Sequence, residues 1–316
     1  MTITNVAIAG SGIIGSSWAV VYARSGLNVA VYDRNPESRS SLMTRIGKAV
    51  EKSSALLAAG ETAAEVLARI EVHATLEAAL AGADFVHECI EEKLESKKSI
   101  FAEFDRLAGP DTILATTTSS FPVSHFASDL ACRERCIVVH PATPPHLLPV
   151  TEICAAPFTS EAVFDATFRF MERCGQTPIH IKKEIPSFVL NRMQAALVVE
   201  MFRCLNEDLI SPEDVDKIIS QGFGLRWAFL GPFEGVDLNA AGGIRQYLEN
   251  FGFLFNNMAK ELGFPDVVTP QSIERLEGYA RAKIPLDSLG EKVAWRDQSI
   301  IALRRLKEER GTVDRG

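Results

Sequence analysis

A doubly wound, largely parallel α/β sheet domain followed by an all-α domain is the fold class that this 316-residue sequence predicts. Three observations predict it. A glycine-rich turn, G-x-G-x-x-G at Gly10, Gly12 and Gly15, stands between a short apolar run and a helical one. Strand-like and helical runs then alternate through the first half. From Pro186 the strand-like runs vanish and long helical runs take over. Such alternation implies a sheet covered by helices, with ligands at the C-terminal ends of its strands. The expected division is 1–185 for the sheet domain and 186–316 for the helical one.

The elements follow in order. Val6 to Ala9 is the first strand, a helix runs from about Ser16 to Ser25, and Gly26 ends it. "NVAVYD" is the second strand, closing on Asp33. Strand, turn, helix and strand together are the full setting of a Rossmann-type dinucleotide site, which the bare motif would not establish. Gly10 permits the tight turn, Gly12 lets a pyrophosphate approach the backbone, and Gly15 lets helix and strand pack closely. The helix N-terminus offers free N–H groups and the positive end of its dipole. Asp33 stands where a carboxylate would accept hydrogen bonds from the adenosine ribose and repel the 2′-phosphate of NADP, so NAD is the expected cofactor. Arg34 beside it is of the type that pairs with such a phosphate.

Residues 36–69 read as mostly helical and 83–90 as a strand. "ESKKSIFAEFDRLA" (95–108) reads as an amphipathic helix with Ile100, Phe101 and Phe104 on its apolar face. Strands are expected at 136–140 and 150–156, and "TILATTTSS" (112–120) as a strand entering a hydroxyl-rich loop. Ser119 and His140 thus fall at C-terminal strand ends. Beyond Pro186, "FVLNRMQAALVVEMFRCLNEDL" is helical, and "SPEDVDKIISQG" opens with a helix start and closes on a glycine.

Bulk properties narrow the function. Hydrophobic residues at 47% and charged residues at 23% are ordinary globular composition. A net charge of −8 lacks the basic footprint of a nucleic-acid binder. No apolar run reaches membrane-spanning length. A strand-like run beginning at Val6 leaves no room for a signal peptide, so a cytoplasmic location is expected. The six cysteines form no C-x-x-C pair and read as reduced thiols, and no metal site is expected.

"GSGIIG" with Asp33, "EEKLESKKSIF", "TTTSS", "HPATPPHLLPVTEI", "KKEIPSFVLNR" and "GPFEGVDL" together resemble the L-3-hydroxyacyl-CoA dehydrogenase family. "SSW" after the third glycine, "FGLRWAFLGP" and "WRDQSIIALRRLK" resemble its lambda-crystallin or L-gulonate 3-dehydrogenase branch, and L-carnitine dehydrogenases share part of the pattern. The resemblance implies a catalytic set of Ser119, His140, Glu152 and Asn191. His140 would take the hydroxyl proton during hydride transfer, Glu152 would orient its ring, and Ser119 and Asn191 would bind the substrate oxygen or the nicotinamide side. It implies a cofactor site of Gly10, Gly12, Ile13, Ile14, Gly15, Asp33, Glu92, Lys97 and Ser119, and a homodimer formed largely by the helical domain.

Two departures bear on the substrate. Thr143 replaces the Asn that the family usually carries three residues after the His, offering a hydroxyl for an amide. Arg226, in "GFGLRWAFLGPFE", could clamp a substrate carboxylate with two parallel hydrogen bonds, or serve a structural ion pair. The expected activity is NAD-dependent oxidation of a small L-3-hydroxy acid such as L-gulonate. L-3-hydroxyacyl-CoA and L-carnitine are the alternative substrates, and a non-catalytic NAD-binding crystallin is the alternative of another class.

Overall fold

The computed structural model describes residues 2–228, 231–233, 243–261, 285 and 288–310. Its strands are β1 (Asn5–Ala9), β2 (Asn28–Tyr32), β3 (Ile70–His73), β4 (Phe85–Glu88), β5 (Ile113–Thr116), β6 (Cys136–Pro141), β7 (Val150–Ala155) and β8 (Thr177–Ile181). Its helices are α1 (Ile13–Arg24), α2 (Pro36–Lys52), α3 (Ala63–Leu67), α4 (Leu76–Leu80), α5 (Leu94–Leu107), α6 (Ser124–Ala127), α7 (Glu161–Arg173), α8 (Phe188–Asn206), α9 (Pro212–Lys217), α10 (Gly224–Trp227), α11 (Gly243–Glu261) and α12 (Leu289–Arg310).

The strands form one sheet in the order β3-β2-β1-β4-β5-β6-β7-β8. Every pairing is parallel except β6 with β7. The strand order reverses between β1 and β4, which opens a crevice at their C-terminal ends. β4, β5 and β6 are buried along their whole length, as strands covered by helices on both faces must be. One face packs Trp18, Tyr22 and Phe170 against Phe85, and the other packs Phe101 and Phe104 with Phe126.

The predicted sheet-then-helix architecture is the observed one. The sequence reading leaves out β3 and β8, the two edge strands. β8 has the burial pattern of a strand facing solvent along most of its length, and β3 is four residues long, so neither shows a clear apolar period. The helix expected to close at Gly222 winds on, since α9 passes through a π-helical turn at Ile218–Phe223 into α10. Two compact units are distinguished, Met1–Arg192 and Met193–Gly316. Among the described residues no helix is long and apolar enough to cross a membrane. Five of the cysteines are buried, Cys204 is half-buried, and all six are free thiols.

Candidate active site

The turn after β1 is shaped by what its glycines exclude. Gly10 has φ +105°, and a Cβ there would stand 2.4 Å from the carbonyl oxygen of Cys89. A Cβ on Gly15 would stand 1.9 Å from the carbonyl oxygen of Gly10. Both would strike backbone, so neither position admits a side chain without moving the strand crossing. Gly12 differs, because a Cβ there meets nothing within 4 Å. Its bareness leaves the mouth of the turn open. Gly12 is the N-cap of α1 and offers no side-chain cap to the helix. The first N–H groups, beginning with Ile13 and Ile14, remain for an anion. Ile13 itself is 79% exposed.

A cleft of about 800 Å³ opens beside this turn, lined by Gly10, Gly12, Asp33, Ile90, Glu91 and Ser96 among others. Asp33 follows β2 directly and stands at the rim of this cleft. Its Oδ2 accepts from the Ser11 N–H and Ser11 hydroxyl, each at 2.8 Å, and its Oδ1 from the Asn35 N–H at 2.9 Å. Burial pushes the Asp33 carboxyl up, but these hydrogen bonds and the Arg34 charge outweigh it and hold the group below the usual carboxylate range. The ionised carboxylate keeps lone pairs for a ribose diol. An open turn, an uncapped helix and a fixed carboxylate fit the pyrophosphate and adenosine ribose of NAD.

Beneath the C-terminal ends of β4 and β5 lies a buried charge cluster. Lys97 is fully buried on α5, and its Nζ is 3.0 Å from Glu88 Oε2 and 2.9 Å from Glu92 Oε2. Burial lowers the Lys97 ammonium, but Glu88 and Glu92 outweigh it and hold the group above the usual lysine range. Burial likewise raises Glu92, and Lys97 and its hydroxyl and backbone donors hold it below the usual range. Glu88 also accepts from the Thr116 hydroxyl at 2.6 Å and the Ile90 N–H at 2.8 Å. Glu92 Oε1 accepts from the Thr118 hydroxyl at 2.7 Å, the Ser119 N–H at 2.9 Å and the Ser120 N–H at 2.8 Å. The hydroxyl-rich loop is therefore folded around a carboxylate, and Ser119 is positioned through Glu92. Glu88, Thr116 and Thr118 are missing from the sequence reading. An acid inside the apolar strand run "DFVHECI" is the signal that could have found Glu88, since such a group needs a buried partner.

His140 and Glu152 meet across the one antiparallel pairing of the sheet, in register as direct partners. Residues directly opposite on neighbouring strands project to the same face. Here Nδ1 of His140 stands 2.8 Å from Glu152 Oε2, and both side chains are nearly buried. A carboxylate only accepts, so Nδ1 carries the proton, and among the described residues no hydrogen bond occupies Nε2. The other oxygen, Oε1, accepts from the Leu190 N–H at 2.8 Å, at the start of α8.

That helix start is strained into place. Ser187 and Phe188 have φ of +66° and +46°, the left-handed region that non-glycine residues seldom occupy. The turn puts the buried Phe188 ring 5.5 Å from the His140 ring. It also lets the Ser187 N–H donate to the Ser120 carbonyl at 3.3 Å, and Asn191 Nδ2 to the Ser119 carbonyl at 3.3 Å. Ser119, Asn191, Glu152 and His140 are thus joined through the first turn of α8. Thr143 is exposed in the loop between β6 and β7. His146 of that loop is fastened to α1 through Ser17 Oγ at 2.8 Å from its Nδ1, and by Arg24, which donates to its carbonyl at 2.7 Å. Arg226 lies in α10, with its side chain outside the described residues.

Residues 5–185 match the family model described as 3-hydroxyacyl-CoA dehydrogenase, NAD binding domain, and residues 188–276 match 3-hydroxyacyl-CoA dehydrogenase, C-terminal domain. The chain is 36% identical to the lambda-crystallin homolog of Mus musculus over 306 residues, covering 96% of each protein. It is 31% identical to an L-carnitine dehydrogenase of Pseudomonas sp over 307 residues, 95% of this chain and 93% of that one. Among solved structures it is similar to 5-formyl-3-hydroxy-2-methylpyridine 4-carboxylic acid 5-dehydrogenase, an NAD+-dependent dismutase, with a TM-score of 0.80 at 27% identity over 96% of this chain and 98% of that one. It is also similar to 3-hydroxybutyryl-CoA dehydrogenase of Escherichia coli K12, with a TM-score of 0.69 at 27% identity over 88% of this chain and 57% of that one.

Proposed function

The chain belongs to the 3-hydroxyacyl-CoA dehydrogenase family and is an NAD-dependent oxidoreductase acting on a CH–OH group, and from that premise we propose that it oxidises the 3-hydroxyl of a small L-3-hydroxy acid, L-gulonate or a close analogue, to the 3-keto acid. The observation that carries the reading is the buried His140–Glu152 pair, joined to the Ser119 loop through the first turn of α8.

Bound NAD supplies the hydride acceptor. The other steps belong to the protein. Nε2 of His140 accepts the hydroxyl proton as the carbonyl forms, and Glu152 holds the tautomer and stabilises the imidazolium. The Ser119 hydroxyl and the Asn191 amide steady the oxygen that loses the proton. Glu92 and Lys97 hold the Ser119 loop at the nicotinamide side. A structural crystallin role needs none of these alignments, so the intact pair supports catalysis. A homodimer is part of the reading, since Phe253, Phe255 and Met258 on α11 are more than half exposed and suit burial against a second copy.

Similarity to an L-carnitine dehydrogenase over 95% of this chain supports a free hydroxy acid over a thioester, and an arginine at position 226 is the residue type that would pair with its carboxylate. A panel of L-gulonate, L-3-hydroxybutyrate, L-carnitine and an L-3-hydroxyacyl-CoA, scored by NADH formation, is expected to give the highest kcat/KM with L-gulonate. Highest efficiency with the thioester would overturn the assignment. Arg226→Met is expected to raise KM for the preferred acid by about ten- to a hundred-fold, the cost of a lost charge-assisted hydrogen bond, and to spare a neutral ester. An unchanged KM would remove Arg226 from the substrate site.

A further inference from the structure

Asp33 is not the only charged group at the adenosine end of the cleft. Arg34, Arg39 and Arg45 surround it, and the three guanidiniums have different partners. Arg39 donates to the Asp33 carbonyl at 2.6 Å, and Arg45 to the Ser11 carbonyl at 2.8 Å. Both brace the backbone of the corner. Arg34 instead reaches a carboxylate on the opposite wall, with its Nη2 3.2 Å from Glu91 Oε1. Asp33, Arg34 and Glu91 all line the cleft. Glu91 is set in place from behind, by the Ser96 hydroxyl at 2.9 Å and by Lys93 Nζ at 3.0 Å.

We propose that Glu91 is a second determinant of cofactor choice, pairing with Arg34 so that this guanidinium does not receive the 2′-phosphate of NADP, while Asp33 repels that phosphate directly. The corner then carries a latent phosphate site. A planar guanidinium next to the ribose-binding position is the group that would bind a 2′-phosphate, and two carboxylates withhold it. The division of labour follows from exposure. Asp33 is half-buried and fixed by three hydrogen bonds, so its repulsion is the larger effect. Arg34 is 79% exposed, so its pair with Glu91 is weak and makes only a small addition to the Asp33 effect. Removing Glu91 alone therefore does little. Its role shows once Asp33 is neutral. The proposal concerns the cofactor and stands whichever hydroxy acid is the substrate.

The test is a fluorescence titration of the full-length protein with NADPH and with NADH, which needs no turnover. Asp33→Asn is expected to shift relative affinity toward NADPH by about ten-fold. Adding Glu91→Gln should shift it by a further two- to five-fold, roughly the worth of an exposed ion pair. Adding Arg34→Met to that double variant should abolish the second gain. No second gain would overturn the proposal. So would a gain that survives Arg34→Met, since it would then reflect only the general charge of the cleft. Unchanged binding of both nucleotides in Asp33→Asn would overturn it at its base, by taking the adenosine ribose away from this corner.

Discussion

Replacing His140 by Gln is expected to lower kcat by about 10²–10⁴-fold while leaving NADH affinity close to that of the unaltered protein. The size follows from losing a positioned base, and the selectivity from location. His140 sits on β6, two strands away from β4 on the sheet, whereas the glycine turn and Asp33 follow β1 and β2. Glutamine keeps comparable bulk beside Phe188 and so preserves the packing. Glu152→Gln should also lower kcat, because its amide can no longer offer two acceptors to His140 Nδ1 and the Leu190 N–H. Steady-state turnover on the best substrate of the panel, with NADH titration alongside, measures both. Near-normal turnover of His140→Gln would remove His140 from the chemistry.

Lys97→Met should produce the largest loss of stability, about 3–5 kcal/mol in denaturant unfolding. The methionine fills the space but leaves two carboxylates facing one another, and Glu88 is wholly buried. Adding Glu88→Gln should recover part of the loss, because the uncompensated charge is then gone. A single variant within about 0.5 kcal/mol of the parent would contradict the account. The cluster also fixes the sign of the pH response. Lys97 is raised when folded, so its contribution is complete below the ordinary lysine pKa and is lost as pH rises through the higher folded value. Glu92 is lowered when folded, so its contribution is complete above the ordinary carboxylate pKa and is lost as pH falls through the lower folded value.

Much of this was legible in the sequence, for identifiable reasons. Gly10, Gly12, Gly15 and Asp33 are legible because each answers a backbone or charge requirement of one compact unit. Only the family resemblance joins His140 to Glu152 in the sequence. The contact itself depends on β7 running against its neighbour, which strand-like composition does not report. The resemblance puts Lys97 on the cofactor side, yet its burial is written in the helix period, since it lies four residues before Phe101 and seven before Phe104. A lysine is normally read as solvent-facing, and only the acid hidden in β4 reveals why this one is not. Ser187 and Phe188 gave no warning, because neither residue type announces a left-handed backbone.

The antiparallel pairing of β6 with β7 also bears on the order in which the molecule assembles. His140 and Glu152 are 12 residues apart, Glu152 and Leu190 are 38 apart, and Ser119 and Asn191 are 72 apart. Closing a 72-residue loop costs about 1.6 kcal/mol more entropy than closing a 12-residue one. The His140–Glu152 pair is thus a local contact of low contact order, expected to form with its hairpin, while the Asn191 amide reaches the Ser119 loop only once the start of α8 is in place. The His140–Glu152 contact is therefore expected to precede the Asn191–Ser119 contact along the folding coordinate, and local opening at the head of α8 to undo them in the reverse order.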